Sequence, residues 1–257
     1  MSSTTPDTLP ELVNLSRELA RPENDFVIQA EGNTSMWRDT DSFWIKASGT
    51  PLLLAERQTF LAAALAPVLA LVDDGAEDLN ILQKQLAETI LGAGAGRPSI
   101  EVMLHALALT LGGAQVVGHT HPTPLVGLLC SQHGRAALMG GSLFPDEIVV
   151  CGAEPVYVPY AAPGLALARA TRAALLEHRQ HAAAPPKVIY LENHGLIALG
   201  QTPGEVLRIT AMCAKAARVR LATDRFGGPR FLSAADVANI AGRPDEHYRQ
   251  RMLEGRP

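Results

Sequence analysis

The sequence predicts a single α/β domain, and three observations lead there. Of its 257 residues, 47% are hydrophobic, 19% charged and 5% aromatic, the balance of a folded globular protein rather than a disordered, collagenous or fibrous one. Segments with apolar residues at helical spacing alternate with short β-rich runs bounded by turn residues. No internal repeat, charge block or long linker interrupts residues 10–223, which favours one body over two.

The elements follow in order. A helix is expected over residues 10–20, with Thr8 as its N-cap and Leu12, Leu15 and Leu19 along one face. A β-hairpin comes next: residues 35–38 and 43–47 flank Asp39, Thr40, Asp41 and Ser42, whose side chains suit a turn. Helices are expected over 56–71 and 81–91, broken by Asp73, Asp74 and Gly75 and followed by the glycine-rich loop 92–96. That loop does not match a dinucleotide fingerprint, which needs a strand before it and a helix opening within it, whereas Arg97 and Pro98 follow here. Ser99 then caps a helix carrying Ile100, Met103, Leu104, Leu107, Ala108 and Leu111 at i, i+3, i+4 spacing, ended by Gly112 and Gly113. Residues 114–121 read as a strand with Gln115, Val117, His119 and His121 on one face. Two further strands, 187–192 and 196–199, hinge at Asn193, His194 and Gly195, where glycine can supply positive φ. The capping box of Thr202, Pro203, Gly204 and Glu205 launches a helix over 206–221. Residues 1–9 read as a flexible start, and the polar stretch 223–257 as a tail lying on the domain or on a neighbouring subunit.

A formal charge of −4, from 22 basic and 26 acidic residues, argues against a partner held by charge, such as nucleic acid or an anionic membrane. The three cysteines, Cys130, Cys151 and Cys213, are odd in number and far apart, which suits a reducing cytoplasm rather than a disulfide framework. The opening residues have neither a basic nor an apolar region, so no signal peptide is expected. The longest apolar run, 60–72, contains Pro67 and falls well short of the ~20 residues of a spanning helix.

Three of the eight histidines stand where a core histidine would be unusual. His119 and His121, two apart on a strand, project from one face and can grip one ion, while His194 sits at the tip of a tight turn. Three neutral imidazoles leave an open position on a zinc-like ion, the arrangement of a catalytic site. A His-x-His pair also arises by coincidence, so the joint occurrence carries the weight. Glu101 lies in the first turn of the helix that leads into the His119 strand, and an antiparallel return would bring it back to the metal as ligand and base. Two readings stay open for it, this one and a first-turn acid favoured by the helix dipole. His105, four residues on, reads as a helical partner of Glu101.

These residues fall into five motifs: Gly32 to Ser35, Lys46 to Thr50, Arg97 to Glu101 with His105, His119 to Pro122, and Asn193 to Gly195. In this order they resemble the class II aldolase/adducin family, over about residues 10–222. The wording of the Arg97 and Lys46 motifs is similar to the aldolase part of rhamnulose-phosphate aldolase/lactaldehyde dehydrogenases, without a dehydrogenase part in these residues. The resemblance implies a three-layer α/β/α sandwich around a mixed, mostly antiparallel sheet, assembled as a homotetramer with active sites at subunit interfaces. It implies that His119, His121 and His194 bind a divalent metal, zinc or else Mn2+, Co2+ or Fe2+, with Glu101 as catalytic acid/base and resting fourth ligand.

It also implies that Gly32, Asn33, Lys46, Ser48, Gly49 and Ser99 bind a substrate phosphate, for which backbone N–H groups, hydroxyls and a helix N-terminus are suited. Asn33 and Ser48 also fit simple turn chemistry. Ile100 stands where phosphate-binding members carry a second hydroxyl, so the end group is open between phosphate, carboxylate and an unmodified sugar. For the second acid/base, Asp146, Glu147 and Tyr160 are candidates. The expected activity is aldol cleavage or formation in a small ketose, ketose phosphate or keto acid through a metal-stabilised enediolate. Decarboxylation of a 3-keto sugar acid is the alternative, followed by 4-epimerisation and a non-catalytic adducin-like module.

Overall fold

The computed structural model of the chain describes residues 7–92, 96–243 and 252. Most of the expected flexible start, the middle of the glycine-rich loop and the end of the tail lie outside the described residues. Helix α1 (Leu9–Leu19) leads into the hairpin β1 (Asn33–Trp37) and β2 (Ser42–Lys46). Then come β3 (Phe60–Ala64), α2 (Leu65–Asp74), α3 (Leu79–Glu88), β4 (Ile90–Leu91), α4 (Val102–Thr110) and β5 (Val116–Thr120). Helices α5 (Thr123–Leu129), α6 (Gly134–Met139) and α7 (Pro145–Cys151) precede β6 (Val156–Val158), α8 (Leu165–His181), β7 (Val188–Leu191) and β8 (Gly195–Gly200). The long α9 (Pro203–Thr223) and a short α10 (Ala234–Ala241) follow, α10 lying against α7.

The eight strands form one sheet in the order β4-β3-β2-β1-β5-β8-β7-β6. Every pairing is antiparallel except β6 with β7. Both faces are covered. Val117, Ile197 and Leu199 turn into a core with residues of α2, α4 and α8, while their neighbours Val116, Leu196 and Ala198 turn into a second core with α1, α5 and α9. The period of two along β5 and β8 thus separates two apolar layers and makes the three-layer sandwich. Helix α4 has no solvent face: Val102 through Leu109 are all buried. An all-round apolar helix of this kind is stable only between other elements, here the sheet below and α2 and α8 beside it.

Several local expectations are corrected. The expected helix 56–71 divides into a 3-10 turn, strand β3 and α2. The short side chains of Ala62 and Ala63 fit a strand paired on both edges, to β2 and β4, and tertiary pairing overrides alanine's helix preference. The end of the expected helix 81–91 is likewise strand β4. Thr8 makes no capping bond; the Asp7 carboxylate accepts from the Leu9 N–H instead. Thr202 does cap α9 through the Glu205 N–H, but the Glu205 carboxylate turns to Lys187 and to the Gln201 N–H rather than completing the box.

Candidate metal centre

Helix α4 runs down one face of the sheet and β5 returns beneath it, so Glu101, at the head of α4, meets His119 near the end of β5. His121 lies just past β5, where its N–H donates to the Phe26 carbonyl. Strands β7 and β8 pair up to Leu191 and Gly195, and the three-residue turn between them presents His194. The ligand atoms of His119, His121 and His194 all lie within 4.8 Å of one another. The Nε2 atoms of His119 and His121 are 3.1 Å apart, and the three rings stand edge-on with centroids 4.8, 4.9 and 5.1 Å apart. Glu101 Oε1 is 3.2 Å from His194 Nε2 and 3.5 Å from His119 Nε2.

Two close backbone approaches make this convergence possible. A Cβ on Gly195 would lie 2.5 Å from Cδ2 of His121 and 2.7 Å from the Thr120 carbonyl, so glycine is required by the imidazole beside it. The positive φ of the turn, 53°, belongs to Asn193, which corrects the expectation that Gly195 supplies it. A Cβ on Gly32 would meet the His119 carbonyl at 2.5 Å, and φ there is +69°. Gly32 therefore lets β1 begin directly against the metal-site strand.

The supporting hydrogen bonds set which nitrogen of His119 is free. Its Nδ1 lies 2.9 Å from the Leu196 carbonyl, which can only accept, so Nδ1 carries the proton and Nε2 offers a lone pair. Glu31 Oε2 stands 3.7 Å from Nδ1 of His121. Burial opposes ionisation of Glu101, but the His119 and His194 imidazoles outweigh it and hold the carboxyl well below its ordinary value. For His121, burial together with His119 and His194 pushes the imidazole down to about 3. An ionised carboxylate and three imidazoles facing one point are the donor set of a borderline divalent ion, which binds such rings once they are deprotonated.

The six residues expected to bind an anion do not all take the same surroundings. Ser48 and Ser99, with Gln83, Arg97, Pro98 and Ile100, line a cavity of about 370 Å3. The two loops that form it are tied by the Ser48 N–H to the Arg97 carbonyl at 2.9 Å and by a bridge between Ala47 and Pro98. Gly49 takes φ 81° in the first loop. Lys46 is buried and spends its ammonium on the Ala47 and Thr50 carbonyls, at 3.1 and 2.6 Å. Burial lowers it to about 8 against the attraction of Glu101. Asn33 donates from Nδ2 to Glu101 Oε2 at 2.8 Å. Ser99 Oγ accepts from the Glu101 N–H at 3.2 Å, fixing the turn that leads into α4.

The sequence assigns Arg97 no role and pairs His105 with Glu101 on the helix. In the structure His105 faces Asn33 and Ser35 instead. Its position four residues after Glu101 placed it on the same helix face, but its partners come from β1. Of the second acid/base candidates, Glu147 is committed to a buried ion pair with Arg220 at 2.8 Å. Tyr160 is exposed, its N–H donating to Glu192.

The family model described as the class II aldolase and adducin N-terminal domain matches residues 10–221. A Bacillus subtilis (strain 168) protein named uncharacterized oxidoreductase YuxG is 26% identical over 214 residues, 78% of this chain and 28% of that protein. The chain thus spans little more than a quarter of that relative's length. Among solved structures, L-fuculose 1-phosphate aldolase superposes with a TM-score of 0.68 at 18% identity, covering 93% of this chain and 96% of that one. The N-terminal class II aldolase domain of a conserved Thermoplasma acidophilum protein gives 0.65 at 19%, covering 86% and 97%. These likenesses establish the fold.

Proposed function

Because the chain belongs to the class II aldolase and adducin family, we propose that it is a divalent-metal-dependent aldolase acting on a small ketose, ketose phosphate or keto acid. The observation that carries this reading is Glu101 Oε1, an ionised oxygen within 3.5 Å of two of three converging imidazoles. His119, His121 and His194 would hold the ion, zinc or else Mn2+, Co2+ or Fe2+, with Glu101 as the fourth ligand in the absence of substrate. When bound, such an ion supplies Lewis acidity, lowering the cost of the enediolate that C–C cleavage leaves behind.

The remaining work falls to the chain. In the direction of condensation, Glu101 takes the proton from the donor's α-carbon; in cleavage it returns that proton to the same carbon. Its depressed pKa keeps it ionised at rest, ready to accept. The cavity at Ser48 and Ser99 would bind the far end of the substrate. Arg97 beside it favours an anionic end, phosphate or carboxylate.

A homo-oligomer, with a tetramer favoured, goes with this family reading. A reducing cytoplasm goes with the small, odd number of cysteines. No helix among the described residues is long and apolar enough to cross a membrane.

Metal-loaded protein tested on a panel of ketoses, ketose phosphates and sugar acids, with coupled detection of aldehyde and of carbon dioxide, checks the reaction. Aldehyde release supports the aldolase. Carbon dioxide without aldehyde reassigns the site to decarboxylation of a 3-keto sugar acid, and neither product from any substrate removes the lyase reading.

A further inference from the structure

A chain of side-chain hydrogen bonds behind Glu101 has one polarity. Ser35 Oγ lies 2.6 Å from Nδ1 of His105, His105 Nε2 contacts Oδ1 of Asn33, and Asn33 Nδ2 donates to Glu101 Oε2 at 2.8 Å. An ionised Glu101 can only accept, so Asn33 must turn its amide nitrogen to it and its carbonyl oxygen away. That oxygen needs a donor, which fixes the proton of His105 on Nε2. Nδ1 then accepts from the Ser35 hydroxyl. Each orientation follows from the one before it, and the three supporting side chains are all buried.

The elements supply the framework. Asn33 pairs with His119 and Ser35 with Val117 across β1 and β5, so both face α4, as His119 does. His105 lies one turn along α4 from Glu101. With Oε2 held from behind, Oε1 is the oxygen turned to His119 and His194.

We propose that His105 is a positioning residue for Glu101: acting through Asn33, it holds one carboxylate oxygen so that the other is presented to the metal site and to the substrate's α-carbon. This rests on Glu101 being the acid/base of the proposed reaction. Asn33 is accordingly a support for the carboxylate, in addition to anything it offers a ligand.

The test compares metal-loaded wild type with His105→Leu, His105→Gln and Glu101→Gln. Leucine keeps the bulk but removes the donor, while glutamine retains an N–H near the position of Nε2. His105→Leu should lose about 10–100-fold in kcat, as changes to groups that orient a metal ligand do, with KM within about threefold. His105→Gln should regain most of the loss. A second readout is the visible spectrum of cobalt(II)-substituted protein at saturating cobalt, which reports ligand geometry without turnover. It should change in His105→Leu and match wild type in His105→Gln.

Wild-type kcat and spectrum in His105→Leu would overturn the proposal, as would equal losses in the leucine and glutamine variants. If either variant fails to fold, Ser35→Ala, which removes the far end of the chain, takes its place. A smaller fall in kcat at unchanged KM then supports the proposal and no change in kcat refutes it. Full activity in Glu101→Gln removes the acid/base reading itself, whereas an inactive Glu101→Gln with an unaffected His105→Leu removes only the positioning role.

Discussion

His105 is a buried imidazole whose consequences extend beyond the site. Burial, with His119 and Lys46 close by and opposed by Glu101, holds it down to about 3, so the folded protein keeps it neutral. The unfolded chain takes up that proton below the ordinary 6.5, and stability therefore falls as pH drops from 6.5 toward 3. At pH 5 the loss from this residue is about 2 kcal/mol, from 1.5 pH units at ~1.4 kcal/mol each. Urea midpoints measured on metal-free protein at pH 7 and pH 5 should fall less in His105→Gln than in wild type; an equal fall would show that other groups carry the acid sensitivity. Residue-level legibility divides along the same line. That His119 and His121 share a face follows from the period of a strand, and that Glu101 and His105 share one follows from the period of a helix. The bond from Asn33 to Glu101 was not legible, because it depends on the register of β1 against β5 and on the seating of α4 over both, neither of which local spacing records.

Among the elements, the turn between β7 and β8 is where backbone and chemistry meet most tightly. Replacing Gly195 with Ala adds a methyl group 2.5 Å from the His121 ring, against a backbone carbonyl that cannot move away cheaply. The expected outcome is a displaced His121 and metal affinity weakened on the order of tenfold or more, read by competition with a chelator. Wild-type affinity in Gly195→Ala would show that the turn has room the geometry denies. The turn was visible in the sequence as Asn193, His194 and Gly195, yet the glycine was credited with positive φ that Asn193 supplies. Strand β3 was misread for a different reason. An alanine-rich stretch carries no period of its own, and only pairing with β2 and β4 decides that it is extended. Helices α5 to α8 and strand β6 went unassigned because their burial comes from neighbours distant in sequence.

For the whole molecule, the predicted α/β class stands on the sheet itself: among the described residues, eight strands, one parallel pairing, and an apolar layer on each face. Composition led to a globular chain and the pattern of segments to an α/β one; the sandwich came from the resemblance carried by five short motifs, which the strand order now explains. Those motifs sit at strand ends and helix starts around one end of β5, gathering residues from positions 33 to 194 into one site. The family reading further predicts a homo-oligomer, four copies favoured, in sedimentation velocity at micromolar concentration; a monomer that turns over substrate would contradict it. The central claim is that His119, His121 and His194 hold one catalytic divalent ion. Its most direct test is metal content per chain measured beside turnover in wild type and His119→Ala, each stripped with chelator and then reloaded. The account predicts about one ion per wild-type chain with activity that follows it, and neither retained metal nor turnover in the folded variant. A folded, metal-free His119→Ala with full activity would contradict it.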